Sequence, residues 1–230
     1  MGKGQIPEKY WSDELKSGLI HLWEFNGNAN DKIGTWSLQT QHAGATVVYE
    51  NGLLKKAIRF NGTGGLSGTC NTSALNPWSF SFWIKWSGGD TTACILGDGT
   101  SGTYRGLYCM NDATHGDYIN IFPTTGMTIN PLTGYTGGSW KHVVVRQRSP
   151  YGIESYVSGS KYADITAAQS VNFALSATSL RFGAKSASSC RFGGSIEQFA
   201  MWDRRITDNE IAELYNLGKG LKYDNVSLFA

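Results

Sequence analysis

The sequence predicts an all-β fold: two antiparallel sheets packed face to face as a jelly-roll sandwich, with one short helix near the C-terminus. Three observations carry this. The dominant hydrophobic period is two, the period of a strand with one face buried. Twenty-nine glycines against five prolines, many in clusters with Asn and Ser, cut the 230-residue chain into short runs. Helical signals are confined to the two ends.

The elements follow in chain order. Ser12-Asp13-Glu14-Leu15 opens a short turn of helix, and Leu19–Phe25 reads as the first strand. Ala57–Asn61 is a second, closed by Asn61-Gly62-Thr63-Gly64-Gly65. Ser79–Trp86 places Phe80, Phe82, Ile84 and Trp86 on one face with Ser81, Trp83 and Lys85 opposite. Trp83 is expected in the core, because a central strand of a sandwich is buried on both faces. Gly106–Met110, Tyr118–Phe122, Trp140–Arg146, Ile153–Val157, Leu180–Phe182 and Ile196–Trp202 continue the series. Thr207-Asp208-Asn209-Glu210 is a capping box, followed by Ile211, Leu214 and Tyr215 at helical spacing and by Gly218 as the stop. No repeat or Pro-rich linker divides the chain, so one domain is expected over 18–220, with an N-terminal arm (1–17) and a C-terminal tail (221–230).

Composition narrows function. Apolar residues at 40% and aromatics at 13% predict a packed core. Twenty basic and 18 acidic residues leave a net charge of +2, which supplies no field to attract nucleic acid. No stretch approaches the roughly 20 apolar residues of a membrane span, so no membrane insertion is expected. The first nine residues lack the apolar run of a signal peptide, which suggests a chain made in the cytoplasm or one whose leader has been removed. Cys70, Cys94, Cys109 and Cys190 form no C-x-x-C pair, which disfavours zinc. Cys94 and Cys109 are placed to face each other across adjacent strands, and whether they are bridged is left open.

Four ordered segments carry a resemblance. They are Gly18–Asp31 (GLIHLWEFNGNAND), Lys56–Gly62 (KAIRFNG), Phe80–Lys85 (FSFWIK), and Gly138–Val143 (GSWKHV) combined with Gly194–Trp202 (GSIEQFAMW) and the capped helix. Together they resemble the bacterial and phage branch of the laminin-G-like domains, within the concanavalin A-like lectin/glucanase superfamily. The resemblance implies two stacked antiparallel sheets. It also implies a place for calcium near the loop after the first strand, together with an acid in the penultimate strand. The matching positions are Asn26, Asp31 and Glu197, with Asn26 and Glu197 standing where relatives commonly carry Asp. The alternative is that Asn26, Asn28 and Asn30 cap a turn. The resemblance makes calcium a possible cofactor, not a required one.

The catalytic signatures are missing. Glucanases of the superfamily place their two carboxyl groups on one strand as Glu-x-Asp-x-x-Glu, and none of the eight glutamates here has Asp two positions later. No serine sits in a Gly-x-Ser-x-Gly elbow. His21, His42, His115 and His142 lack metal-binding spacing, and His142 reads as a packed strand residue. Gly97–Gly102 has the spacing of a dinucleotide loop but no following helix, so it reads as a hairpin turn. Glycan binding uses aromatic platforms beside polar groups. Trp36, Tyr104, Tyr108 and Tyr118 are the candidates, with a core role equally open for Trp36 and Tyr104.

The expectation is therefore a non-catalytic recognition or assembly module that binds carbohydrate or a neighbouring protein. A leaderless chain of this family suits a phage virion protein, such as a head decoration or tail-fibre component, with capsid proteins or sister copies as partners. The alternative is a secreted carbohydrate-binding module or glycan hydrolase. Apolar residues in the arm (Ile6, Pro7, Tyr10, Trp11, Leu15) and in the tail (Leu221, Tyr223, Val226, Leu228, Phe229) predict that both ends pack against something, either the domain itself or another subunit.

Overall fold

The computed structural model describes residues 10–36, 38–40, 46–68, 75–86, 88, 92–98, 105–114, 116–122, 129–132, 137–148, 151–165, 173, 180–186 and 189–223. Two antiparallel sheets account for nearly all of its regular structure. The first contains β1 (Leu19–Trp23), β3 (Val47–Asn51), β4 (Lys56–Asn61), β6 (Ser79–Trp86), β11 (Lys141–Gln147), β12 (Ile153–Val157), β13 (Ser160–Ile165) and β15 (Gly193–Trp202). Its order is β13-β12-β11-β6-β15-β4-β3. β15 is long enough to be shared: Gly193–Ile196 pair with β4, and Phe199–Trp202 pair with β1. Between the two halves the register against β6 slips and Gln198 adopts φ 51°. The slip leaves Glu197 and Gln198 outside the inner core, while Ile196 and Phe199 on either side remain in it.

The second sheet runs β10-β9-β8-β7-β14-β5-β2. These are β2 (Leu38–Thr40), β5 (Leu66–Gly68), β7 (Thr92–Asp98), β8 (Gly106–Asp112), β9 (Gly116–Phe122), β10 (Ile129–Leu132) and β14 (Leu180–Phe182). Between the sheets lies an aromatic core of Trp23, Phe25, Trp78, Phe80, Phe82, Trp86, Phe173, Phe182 and Phe199, joined by Ile, Leu and Val. Phe82 stacks on Phe199 with ring centroids 5.1 Å apart, and Phe182 meets Phe199 edge-on at 5.2 Å. The sandwich predicted by period and punctuation is the observed one. Trp83 is buried as expected.

The β7–β8 register corrects the reading of the cysteines. Cys94 lies opposite Tyr108, and Cys109 lies opposite Ala93. Successive residues of a strand point to opposite faces, so Cys109 enters the inner core and Cys94 the outer face. A bridge between them is ruled out by the pleat.

A second apolar core covers the outer face of the first sheet. Helix α1 (Asp13–Lys16) contributes Leu15, helix α2 (Asp208–Tyr215) contributes Ile211 and Leu214, and the sheet contributes Leu19, Leu22, Val144, Ala200 and Trp202. Trp11, Leu221 and Tyr223 complete it. Trp11 stacks on Trp202 at 5.7 Å, meets Tyr223 edge-on at 5.4 Å, and donates from Nε1 to the Leu221 carbonyl at 3.3 Å. The expected boundaries at 18 and 220 therefore do not divide the structure. Residues 10–17 and 221–223 belong to the domain and pack on its own sheet. Among the described residues no helix is long and apolar enough to cross a membrane.

Candidate functional site

The β15 slip aims Glu197 at the β3–β4 hairpin. The side chain is 1% exposed. Its Oε2 accepts from the Leu53 amide at 2.7 Å, its Oε1 from Lys55 at 2.7 Å, and both oxygens from Leu54 at 3.0 and 3.2 Å. Three successive amides thus form a concavity filled by the protein's own carboxylate. Burial pushes the Glu197 carboxyl upward, and the three amides oppose that shift. A Cβ on Gly52 would lie 2.5 Å from Glu197 Oε2, so only glycine lets the hairpin close this far. Asn26 and Glu24 border the same small recess, along with Lys55, Gln198 and Lys222.

Asp31 turns toward a different partner. Its Oδ2 lies 2.5 Å from His21 Nδ1, and its Oδ1 accepts from the Leu22, Ile33 and Gly34 amides at 3.0–3.2 Å. Burial raises its pKa, but His21 and the amides outweigh burial and hold the carboxyl below its usual range. Asn28 accepts from the Asn30 amide at 3.0 Å, the turn-capping role open from the sequence. Asn26 and Glu197 thus share a recess that Asp31 does not line. Calcium needs several oxygens free to turn toward it. Here both carboxylates are already saturated by N–H donors, and no group of three or more His, Cys, Asp or Glu among the described residues is spaced to hold a metal. These residues do not fit the ion.

The aromatic candidates that the structure describes are buried, Trp36 in the core role that the sequence left open. Trp36 is 7% exposed and stacks on His21 with centroids 3.6 Å apart, so its ring faces belong to the core. Tyr108 is fully buried on the outer face of the second sheet, beside Cys94 and edge-on to Phe122. Tyr118 is also buried, and burial together with a hydrogen bond to Asp112 pushes its phenol up to about 12. Neither tyrosine offers an open ring face. Tyr104 lies outside the described residues, as does most of the Gly97–Gly102 turn.

An open aromatic surface is present elsewhere. A groove of about 610 Å³ runs between Tyr10, the β12–β13 turn at Ser158–Ser160, and the end of α2 from Glu213 through Leu217. Ligand clefts commonly fall in this size range. The Tyr215 ring is backed by buried rings, with Trp83 stacked at 6.1 Å and His142 at 6.2 Å. His142 is the packed residue expected: its Nε2 lies 2.8 Å from Ser81 Oγ, and burial lowers its pKa to about 3, so the ring is neutral. Gly159 (φ 79°) approaches Tyr215 so closely that a Cβ there would meet the ring at 2.5 Å. Tyr10 is 43% exposed and Leu217, in a left-handed conformation at φ 54°, is 89% exposed.

Helix α2 holds this wall in place. Thr207 and Glu210 form the predicted capping box, and the helix ends at Asn216 (φ 43°), two residues before the expected Gly218. Below it, Arg146 is 1% exposed and donates to Glu154 Oε2 at 2.7 Å, to the Ile206 carbonyl at 2.6 Å, and to Tyr156 and Asp208. Lys161 and Arg205 also reach Glu154. Burial opposes ionisation of Glu154, but these three cations together hold its carboxyl down to about 2. The sequence singles out Tyr10 and Leu221 only as apolar residues of the two ends, Ser158–Ser160 as a turn and Tyr215 as a helix-spacing residue; no local pattern joins them, because the groove brings together segments about two hundred positions apart.

Comparisons with known proteins follow the geometry. Domain 4 of AbnA, a GH43 extracellular arabinanase from Geobacillus stearothermophilus solved with arabinotriose, superposes with a TM-score of 0.67 at 17% identity, covering 88% of this chain and 98% of that one. The binding domain of Paraclostridial Mosquitocidal Protein 1 gives 0.66 at 16% identity, over 88% of this chain and 52% of that one. The binding domain of Botulinum Neurotoxin DC in complex with SialylT gives 0.66 at 14%, again over about half of its length (52%). At these identities the likeness concerns the fold. No curated protein matches the chain by sequence. A family model described as the concanavalin A-like lectin/glucanases superfamily matches residues 60–212, about two thirds of the sequence, and covers β6, β11, β15 and the start of α2 but not the Gly18–Asp31 segment. The chain belongs to that superfamily.

Proposed function

We propose that the protein is a non-catalytic recognition module that binds an oligosaccharide in the groove between Tyr10, Ser158–Ser160 and Tyr215–Leu217. The observation that carries this reading is the Tyr215 platform, held rigid by Trp83 and His142 and bordered by the hydroxyls of Ser158 and Ser160 and the amide of Asn216. Sugar rings present apolar C–H faces to an aromatic ring and hydroxyls to the polar rim, and a pre-formed site needs little ordering on binding. Support comes from the similar domains, one solved with arabinotriose and one with SialylT. Glu213 is the one carboxylate along the described groove, and it accepts two hydrogen bonds from Ser12. Hydrolysis by a carboxylate pair therefore has no second member there.

The test is titration of the purified chain with arabinose-based and sialylated oligosaccharides, alongside an assay for released reducing ends. Tyr215→Ala is expected to weaken binding at least tenfold without unfolding the domain, and no reducing ends should appear. Binding unaffected by both Tyr215→Ala and Tyr10→Ala would overturn the groove assignment. A second reading, docking to a neighbouring protein in a phage virion or tail fibre, draws on the exposed Leu217 beside Tyr10. In that case Leu217→Asp would abolish assembly, and no glycan would bind.

A further inference from the structure

The outer face of the second sheet holds two thiols that no part of the proposed binding site uses. The Cys94 amide, in β7, donates to the Cys190 carbonyl at 2.9 Å. With standard backbone dimensions this single bond keeps the two Cα atoms within roughly 6.8 Å of each other, the upper limit for a disulfide. The side chains also point to one place. Cys94 forms an apolar cluster with Tyr108 and Phe122, and Cys190 packs against that same cluster from the segment leading into β15. Cys109 faces the opposite side of the sheet and cannot compete.

We propose that Cys94 and Cys190 are a disulfide-forming pair that staples β7 to the segment entering β15. Cys190, the more exposed of the two, reacts first. Its thiolate attacks one sulfur of a low-molecular-weight disulfide such as oxidised glutathione, forming a mixed disulfide and releasing one glutathione thiolate. The Cys94 thiolate then attacks the Cys190 sulfur, forming the Cys94–Cys190 bond and releasing the second glutathione. The two electrons pass to glutathione, and the two thiol protons leave with the released thiolates. Burial pushes the Cys94 thiol well above its usual range, so the closing step is the slow one.

The bond would close a loop of about a hundred residues, long enough for a large effect on the unfolded chain. The experiment incubates the folded full-length chain with oxidised glutathione, counts free thiols, and maps non-reduced peptides. Two of the four thiols should disappear. One cross-linked peptide pair should contain Cys94 and Cys190, and the melting temperature should rise by roughly 5–15 °C, reversibly with dithiothreitol. Cys190→Ser, at the less buried position, should abolish both the cross-link and the rise. Cys94→Ala should stop the reaction at the glutathione adduct on Cys190. Four thiols persisting in the folded chain, or a bridge that joins Cys190 to Cys70 or Cys109, would overturn the proposal.

Discussion

At the scale of single residues, Glu197 shows how a fold can satisfy a buried carboxylate with its own backbone amides. The three hairpin amides present their positive ends where a cation would otherwise be needed. Glu197→Gln replaces one acceptor oxygen with an NH₂ that faces those amides, and is expected to lower the unfolding free energy by about 1–3 kcal/mol. Chemical denaturation would measure this, and millimolar calcium or a chelator should leave the melting temperature of the wild type unchanged. A rise with calcium that follows the logarithm of its concentration would contradict the saturated-carboxylate picture. The residue scale is also where the sequence was least informative. Trp36, Tyr108 and Tyr118 are amphipathic side chains whose local pattern is the same whether the ring meets solvent or a neighbouring strand. Only the stacking of Trp36 on His21 and the cover over β8 and β9 decided it.

At the scale of elements, α2 depends on a buried charge cluster as much as on its own cap. Glu154 is ionised in the folded state down to about pH 2, below its ordinary value of 4.5. A depressed carboxyl contributes stability in full above its unfolded pKa and loses it as pH falls through the folded one. Unfolding free energy should therefore hold steady above about pH 5 and fall between roughly pH 4.5 and 2. Glu154→Gln should flatten that slope and lower stability at neutral pH, since Arg146 would keep its burial while losing an anionic partner. Titration of the denaturation midpoint from pH 7 to 2 for both proteins checks this. The elements were legible where one face differs from the other. β6, β12 and β14 fall where alternation and turn residues put them. β7 was missed because its Ala, Cys, Ile and Leu run without alternation, and the structure buries it on both faces. β2 and β5, with one apolar residue each, were missed as well, whereas the equally short β14 shows Leu180 and Phe182 two positions apart.

At the scale of the whole molecule, the sandwich has two cores, and the second binds the two ends of the described chain together. Trp11 is fully buried against Trp202, Tyr223 and Leu221. Trp11→Ala is expected to cost about 3–5 kcal/mol, measurable by urea titration. Removal of residues 1–17 should broaden or abolish cooperative unfolding rather than leave an intact domain. An intact, fully stable truncation would show the strap to be ornamental. The sequence supplied the apolar residues of both ends but not their partner, because nothing in a local pattern distinguishes the domain's own sheet from another subunit.

The strap also sets an order of events. The inner core draws on strands from β1 to β15, but the layer around Trp11 needs Leu221 and Tyr223, over two hundred positions later in the chain. On a ribosome, Trp11 must wait for Leu221 and Tyr223 before it can be covered. Closing that contact carries a large loop entropy. Until it closes, the indole of Trp11 and the outer faces of Leu19, Leu22 and Trp202 stay uncovered, so a growing chain exposes this apolar layer until Tyr223 has been made.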